Sequence, residues 1–491
     1  MLEKVSFLKR TSSQSKNVIT LKQSSPLLVF RTFILMVLVS LVAGCGSGSS
    51  STSLQPIEDA IWIGIQGGEN GSWEEFISVS SPEELNDLGT QYAETSGVTF
   101  RWEDEVISIS SSGGDEKYGI IIVSASASNQ KVFSIVLQTT ISELSRMELP
   151  VNENENGTLQ VDVEEPAGFA SSFVRLFLED ENKRVYSSEF PSRETFSVKP
   201  ETYDLIVTRS DSYSDTPTHL EARRDLLLSA GTTLTETVSN AAFDATNALS
   251  GPYTIQTLNN DSSTMDRSLY WGGVSLQTFN GTETELSAYI DDGDADISYA
   301  VLGSLLDVTD VYCLELSIEP DATSDISYFE GFRSEENKTV TPPSEPFTGS
   351  FVSNLTNGSL LPGLIGTTYA DAIGYTIGYE GTANSGTESE ADYTFNFHIS
   401  EERAAEVTSG TDISITSPDF SSVSGWKSRW SIPETVVMGS TAASVQVGSS
   451  GITLQDFINW YIKDSPWLDD GEWFASIAEI QSGEGSNSGA F

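Results

Sequence analysis

The sequence predicts a mainly β protein, with several β-sandwich domains in tandem and few short helices. Apolar residues alternate with other residues over short runs, as at Ile61, Ile63 and Ile65, and this period of two is typical of a strand with one buried face. Clusters of Gly, Asn, Asp and Ser separate these runs, as turns separate short strands. The chain has 491 residues, which is enough for three or four domains behind a short leader.

Residues 1–44 are predicted to be a signal peptide. Six basic residues stand against one acid, Glu3, and an uncharged run follows from Phe33 to Gly44. This run is too short for an ordinary membrane-spanning helix, which needs about 20 residues. The six basic residues are Lys4, Lys9, Arg10, Lys16, Lys22 and Arg31.

The apolar run ends in the sequence LVAGC at residues 41–45, which resembles the lipobox of bacterial lipoprotein precursors. The resemblance implies cleavage before Cys45 and a diacylglycerol on its sulfur, and two or more acyl chains anchor a protein stably. Gly46, the second residue of the mature chain, favours the outer over the inner membrane in a Gram-negative host. The alternative is an uncleaved N-terminal anchor. We therefore expect a cell-envelope protein that contacts the membrane through its N-terminal lipid.

Residues 45–56 are predicted to be a flexible tether, because they are rich in Gly and Ser. The chain carries 25 basic and 71 acidic side chains, a formal net charge of −46, and loss of the leader would make it more acidic. Phosphate binding needs clustered Lys and Arg, so this balance argues against a nucleic-acid partner. Solubility is the plain explanation for so acidic a surface.

Residues 57–150 are predicted to be a first β domain. A short helix is predicted inside it from Ser81 to Glu94, because Ser81 precedes Pro82 as an N-cap precedes a first-turn proline. The acidic stretch from Asn152 to Gly157 is typical of a hinge, and it ends this domain.

Residues 158–240 carry five short strand-like runs, followed by an Ala-Gly turn and a last strand. They resemble the carboxypeptidase-regulatory-like, or transthyretin-like, domain, and the resemblance implies an immunoglobulin-like β-sandwich without transferring a catalytic residue. Glu201 stands where that family usually has glycine, and His219–Leu228 are predicted to be helical. The residues that match the family pattern are Phe196, Val198, Pro200, Thr202, Tyr203, Leu205, Val207, Ala230 and Gly231.

Residues 250–491 are predicted to be a C-terminal β-rich region, which a linker near 333–349 would divide into two domains. An amphipathic helix with Thr453 as its N-cap is predicted near the end, from apolar residues at helical spacing. The Gly- and Ser-rich residues 481–491 are predicted to be a disordered tail. The apolar residues of the helix are Leu454, Phe457, Ile458 and Tyr461.

Residue types that carry catalysis are scarce. The chain has two histidines, His219 and His398, and two cysteines, Cys45 and Cys313. Lipidation of Cys45 would leave no internal disulfide, and the apolar run around Cys313 predicts a buried, inert thiol. His398 lies between apolar residues of a strand-like run, so its side chain is predicted to face solvent. We therefore expect a non-enzymatic role, with a carboxylate-dependent hydrolase acting on envelope polysaccharide as the alternative.

Four aspartates surround Gly293 in a loop that follows a strand-like run. Oxygen ligands at alternating positions, with a glycine for the turn, are what Ca²⁺ requires. Ca²⁺ is the one cofactor that the sequence suggests, but the spacing is not that of an EF-hand, and a solvated acidic turn is the alternative. The four residues are Asp291, Asp292, Asp294 and Asp296.

Five of the nine tryptophans lie between Trp426 and Trp473. Aromatic faces beside carboxylates form surfaces that stack on sugar rings, so we treat this stretch as a candidate ligand-binding site. The alternative is that the indoles fill a core, where each would bury a large apolar area. We expect an envelope lipoprotein with a structural, adhesive or ligand-binding role, whose partner is a glycan or an envelope protein. The candidate binding residues are Trp467, Trp473, Asp469 and Asp470.

Overall fold

The computed structural model describes residues 57–68, 71–103, 106–149, 157–165, 173–179, 181–186, 189–211, 216–257, 270–287, 290–291, 296–321, 324–343, 347–384, 390–448, 452–463 and 476–482. The predicted signal peptide, Cys45 and the tether 45–56 lie outside these ranges, as do residues 483–491 of the predicted tail. Within these ranges, no helix has the length and apolarity that a membrane crossing requires.

The chain is mainly β, which confirms the predicted fold class: 31 strands and three short helices occur in the described ranges. The helices are α1 Pro82–Asp87, α2 Glu401–Glu406 and α3 Leu454–Lys463. The strands up to residue 149 are β1 Ala60–Gly67, β2 Glu74–Val79, β3 Gln91–Thr95, β4 Val98–Glu103, β5 Val106–Ser111, β6 Lys117–Ser126, β7 Lys131–Thr140 and β8 Arg146–Glu148. Those of the next segment are β9 Gly157–Val163, β10 Phe173–Leu178, β11 Glu181–Tyr186, β12 Ser192–Val198, β13 Thr202–Ser210, β14 His219–Leu227 and β15 Thr233–Val238.

The remaining strands belong to the C-terminal region. They are β16 Ser250–Thr257, β17 Tyr270–Gln277, β18 Glu283–Glu285, β19 Ile290–Asp291, β20 Asp296–Val301, β21 Val311–Asp321, β22 Ser324–Phe332, β23 Lys338–Val340, β24 Gly349–Thr356, β25 Ser359–Thr367, β26 Ala372–Ala383, β27 Ala391–Ser400, β28 Thr408–Ser409, β29 Asp412–Thr416, β30 Val436–Gly448 and β31 Ser476–Ser482. β23 lies inside the expected linker 333–349 and pairs with β16, and β31 extends into the expected tail.

One large sheet runs through the molecule in the order β18-β17-β21-β22-β31-β30-β26-β27-β7-β6-β1-β2, and β19 pairs with β17 at its side. The strands β1, β2, β6 and β7 come from residues 57–150, and the others come from the C-terminal region. β27 and β7 pair in parallel, while the other neighbours in this sheet are antiparallel. The two segments that the sequence analysis treats as separate domains therefore share one sheet.

Both faces of the large sheet are covered. Trp62 and Ile377 point to a core shared with the sheets β24-β25-β29-β28 and β20-β16-β23, as does Tyr379. On the opposite side, Ile63 of β1 packs in a core with Phe100 of the sheet β3-β4-β5-β8 and with Phe457 of α3. Cys313 is buried in this second core, as predicted.

The two helix starts predicted from capping residues are confirmed. Glu84 donates its backbone N–H to the Ser81 hydroxyl at 3.1 Å, and Asp456 donates to the Thr453 hydroxyl at 3.4 Å. α1 is shorter than predicted, since it ends at Asp87 and residues 91–95 form β3 instead. The second half of the predicted helix is therefore a strand, because residues 91–95 pair with β4.

Residues 157–238 form a sandwich of two sheets, β11-β10-β13-β14 and β12-β9-β15, around a core of their own. At the start of β13 the buried Tyr203 donates its hydroxyl to the Lys199 carbonyl at 3.0 Å, a tyrosine corner of the kind found in immunoglobulin-like sandwiches. The helix predicted at His219–Leu228 is wrong, because this segment forms β14 at the edge of β13. Its good helix formers are overridden by that strand pairing.

A polar joint holds the sandwich against the large sheet. Arg224 of β14 contacts Asp204 at 3.2 Å within the sandwich and Asp310, just before β21, at 2.6 Å. Asn280, in the turn between β17 and β18, donates to Asp204 at 2.9 Å. Asp310 is fully buried, and burial raises the pKa of its carboxyl while the charge of Arg224 opposes that rise. The joint therefore adds a charge network to an apolar contact, in which Phe177, Ile206 and Leu220 of the sandwich pack into the core of the large sheet.

Candidate functional site

The structure leaves most of the sequence-predicted site residues untested. Trp467, Trp473, Asp469 and Asp470 lie outside the described residues, as do Asp292 and Asp294. The backbone of Asp291 pairs with Trp271 at the end of β19, and Asp296 is exposed at the start of β20. No group of three or more His, Cys, Asp and Glu side chains that could hold a metal occurs in the described part of the chain. The calcium and ligand sites therefore stay predictions.

Two tryptophans of the predicted stretch, Trp426 and Trp430, lie in residues 417–433, which we call the covering segment. It connects β29 to β30 and lies over the apolar face of the large sheet, where both indoles meet Trp62 of β1. The ring centroids of Trp62 and Trp430 are 5.7 Å apart, and Trp426 is 5.5 Å from each of them. Trp62 and Trp430 are buried, so these two indoles belong to the core.

The aromatic cluster continues from this core toward the surface. Phe420 of the covering segment lies 5.1 Å from Trp426 and packs edge-to-face on Trp73 at 4.9 Å. Phe420 is buried, whereas Trp73 and Trp426 are half-buried. The Trp426 indole N–H donates to the Ser431 hydroxyl at 2.9 Å, so its orientation is fixed. Half-buried, oriented aromatic rings of this kind can stack on a ligand.

Charged residues border the cluster. Lys427 lies 5.5 Å from the centre of the Trp430 ring and pairs with Glu58, just before β1, at 2.7 Å. The hydrogen bond from Lys427 lowers the pKa of the Glu58 carboxyl, and the charge of the ammonium adds to this effect. The pair connects the covering segment to the chain that enters β1.

Arg429 is the most unusual residue of the covering segment. Its side chain points inward in the short 3-10 turn Ser428–Trp430, and the residue is 7% exposed. The buried Nε and Nη1 atoms of its guanidinium have no hydrogen-bond partner among the residues that the structure describes. Seven other arginines form ion pairs with carboxylates in the same ranges: Arg101, Arg175, Arg193, Arg209, Arg223, Arg224 and Arg403.

Two buried tyrosines of the large sheet continue this polar site. Tyr393 of β27 donates its hydroxyl to the backbone carbonyl of Arg429 at 3.4 Å. Burial raises the pKa of Tyr393, and the Arg429 charge opposes that rise. The Tyr379 hydroxyl of β26 is buried without a partner within the described ranges, and burial raises its pKa well above the usual value. Both phenols are therefore neutral hydrogen-bond donors at physiological pH.

The predicted solvent position of His398 is wrong. The residue is 1% exposed, its Nδ1 lies 2.7 Å from the Thr376 hydroxyl, and its ring lies 6.3 Å from that of Phe457. Helix α3 packs over this face of the sheet, and burial lowers the pKa of the imidazole to about 3. The second histidine, His219, belongs to the sandwich, and burial also lowers its pKa.

Polar side chains surround His398 on the same face of the sheet. Thr376 pairs with His398 on one side and with Ser444 of β30 on the other. Ser444 donates to the Glu479 carboxylate at 2.6 Å, and Gln446 donates to it at 3.2 Å. A buried network of this kind rigidifies the sheet and specifies its register.

Sequence reasoning singled out the tryptophans but not the arginine between two of them. The motif Trp-Lys-Ser-Arg-Trp at residues 426–430 places two cations between aromatic rings in a strongly acidic chain, and this contrast is the available signal. Trp62, Tyr379 and Tyr393 are distant in sequence, and only the fold brings them to the covering segment.

No protein-family model matches the chain, and no curated protein sequence matches it. Among solved structures, it is similar to the Bacillus anthracis TIE protein, with 14% sequence identity, coverage of 69% of this chain and a TM-score of 0.15. The match spans 61% of that chain, which is less than two thirds of its length. A TM-score this low does not establish a shared fold.

Proposed function

We propose that the protein is a lipid-anchored component of the bacterial cell envelope. The observation that carries the proposal is the sequence LVAGC at residues 41–45, behind a basic and then apolar leader. Cleavage before Cys45 would leave a Gly- and Ser-rich tether between the lipid and the β-rich body, whose described part begins at Ile57. A body held in this way stands clear of the bilayer.

The role proposed for this body is binding or structural support, without catalysis. The aromatic cluster of the covering segment supports a binding role, because it runs from the core to the half-buried Trp73 and Trp426. The sandwich at 157–238, proposed to be a transthyretin-like domain, would support or space the body. The partner in this proposal is a glycan or an envelope protein.

Mass spectrometry of the N-terminal peptide from detergent-extracted membranes tests the anchor. The expected peptide begins at Cys45 and carries the mass of acyl chains and a diacylglycerol. Cys45→Ala should accumulate as an unprocessed precursor, while Cys313→Ala, a change at the other cysteine, should be processed normally. An unmodified Cys45 in a membrane-bound protein that retains residues 1–44 would establish the uncleaved anchor instead.

A further inference from the structure

Arg429 presents a charge for which the described structure has no counter-ion. The residue is more than nine-tenths buried, and its Nε and Nη1 atoms make no hydrogen bond within the described ranges. Burying an unpaired guanidinium costs several kcal/mol, because the group loses its hydration without a compensating contact. Arginine does not lose its proton in proteins, so neutralisation does not relieve this cost.

The groups that the structure shows next to Arg429 are neutral. Trp430, the following residue, packs on Trp62, and the Tyr393 hydroxyl that reaches the Arg429 carbonyl is buried and protonated. Tyr393 reaches only the Arg429 backbone, through a long contact of 3.4 Å, and leaves Nε and Nη1 of the guanidinium without a partner among the described residues. The chain has 71 acidic side chains, yet none pairs with Arg429 among the described residues. What is missing at this position is an acceptor with negative charge.

Geometry narrows the class of acceptor. A guanidinium presents parallel N–H groups in a rigid fork that matches the two oxygens of a carboxylate, and bidentate pairs of this kind are among the strongest hydrogen bonds in proteins. A buried phenol can donate to such a carboxylate, and the Tyr393 hydroxyl makes only a long contact of 3.4 Å with the Arg429 carbonyl. Trp426 and Trp430 lie on either side of Arg429 in the covering segment and contact each other, and indoles suit a ring or an alkyl group attached to the carboxylate.

We propose that Arg429 is the anion-binding residue of a ligand site for small carboxylates, at the place where the covering segment packs on the large sheet. The inference deepens the proposed binding role and rests on it. A free carboxylic acid and the carboxylate of an acidic sugar present the same chemistry to the guanidinium. The two sources are therefore separated by the test.

The test is the melting temperature of the mature chain in sodium acetate, sodium glucuronate and sodium chloride at equal ionic strength. A ligand that binds the folded state raises the melting temperature as its concentration increases. We expect a rise in at least one carboxylate over chloride, and its loss in Arg429→Met. Arg193→Met is the matched control, because Arg193 is an exposed arginine that pairs with Asp162, and it should keep the rise.

Each outcome decides the question. A rise in acetate assigns the site to the carboxylate alone, and a rise in glucuronate only assigns it to an acidic sugar. Equal melting temperatures in the three salts, or an equal rise in Arg429→Met, would overturn the proposal. In that case the guanidinium would be hydrated by structural water and would not bind a carboxylate. If Arg429→Met does not fold, Arg429→Lys keeps the charge and should lose most of the rise, because it lacks the fork. The lipid test at Cys45 is independent, so either proposal can fail alone.

Discussion

Phe397 of β27 lies directly beside Val136 of β7, in a parallel pairing that runs from Asp392–Ile399 along Lys131–Gln138. The pairing joins two parts of the chain that are separated by the whole sandwich at 157–238. Both side chains are buried in the core beneath the covering segment. The large sheet is thus completed only when the C-terminal region meets the strands of residues 57–150.

This pairing predicts that residues 250–491 do not fold alone. Removing β7 would expose a long apolar edge at β27, and Phe397 would lose its neighbour on that side. We expect this fragment to aggregate, whereas residues 157–243 should fold independently, because the sandwich has its own core. Circular dichroism and limited proteolysis of the two fragments check the prediction. A soluble, cooperatively melting 250–491 fragment would contradict it.

Strand positions could be predicted from the sequence, but strand partners could not. Alternation at Ile61, Ile63 and Ile65 located β1, because side chains of a strand alternate between its two faces. The prediction of one buried face was wrong, since Trp62 on the other face is also buried. Nothing local indicates that β7 pairs with β27, since long-range pairing depends on how the whole sheet packs. The same limitation explains His398, whose polar face became interior only because α3 packs over it.

Burial of His398 predicts a specific loss of stability in acid. The folded-state pKa of its imidazole is about 3, against 6.5 for the free side chain, so the unfolded chain binds the proton more readily between these values. The contribution of His398 to the free energy of unfolding is fully present above pH 6.5 and is lost as the pH falls toward 3. The free energy of unfolding then changes by at most about 1.4 kcal/mol per pH unit because of this residue. Urea unfolding at several pH values measures it.

His398→Gln provides the comparison, because an amide can keep the hydrogen bond to Thr376 without titrating. The variant should be less stable than the wild type at pH 7 and should lose less stability on acidification. His219→Gln, at the less buried histidine, is the matched control and should change the slope less. Parallel pH profiles for the wild type and His398→Gln would exclude His398 as the source.

Substitution by alanine at two glycines of β26 should change the stability of the protein differently. A Cβ on Gly381 would overlap the Tyr379 hydroxyl and lie 2.9 Å from the Val437 carbonyl oxygen, so Gly381→Ala should cost about 1–3 kcal/mol. A Cβ on Gly378 would make ordinary contacts at 3.5 Å with Asn396 and 3.7 Å with Ala442. Gly378→Ala should therefore be neutral or stabilising by up to about 1 kcal/mol. Denaturation midpoints compare the two, and equal losses would contradict the local geometry.

The polar joint predicts strong coupling between Arg224 and Asp310. Arg224→Met would leave the fully buried Asp310 without its cation, and breaking a buried pair in this way costs about 3 kcal/mol. Asp310→Asn in the same chain removes the orphaned charge, so the double variant should be more stable than the sum of the single changes predicts. A double-mutant cycle on thermal unfolding measures the coupling. Additive effects would show that the joint does not depend on this pair.

The candidate site was predictable only in part. The density of tryptophan and the cations at Lys427 and Arg429 are visible in the sequence. That Arg429 points inward is not, because its burial depends on Trp62 and Tyr393, which distant strands supply. A covering segment with one short 3-10 turn and no strand or longer helix also has no periodicity from which its buried side could be derived.

Trp467 and Trp473 should carry glycan binding if the acidic aromatic stretch is the recognition surface. Stacking of an indole on a sugar ring buries apolar area, and Asp469 and Asp470 supply hydrogen-bond acceptors for hydroxyl groups. The double variant Trp467→Ala/Trp473→Ala of the mature chain should lose most of its glycan-array signal. Trp73→Ala, at a half-buried tryptophan of the aromatic cluster, tests the other candidate surface and should keep the signal if Trp467 and Trp473 bind the glycan. If the double variant melts like the wild type and still binds, the site lies elsewhere, and loss of signal in Trp73→Ala alone would place it at the aromatic cluster.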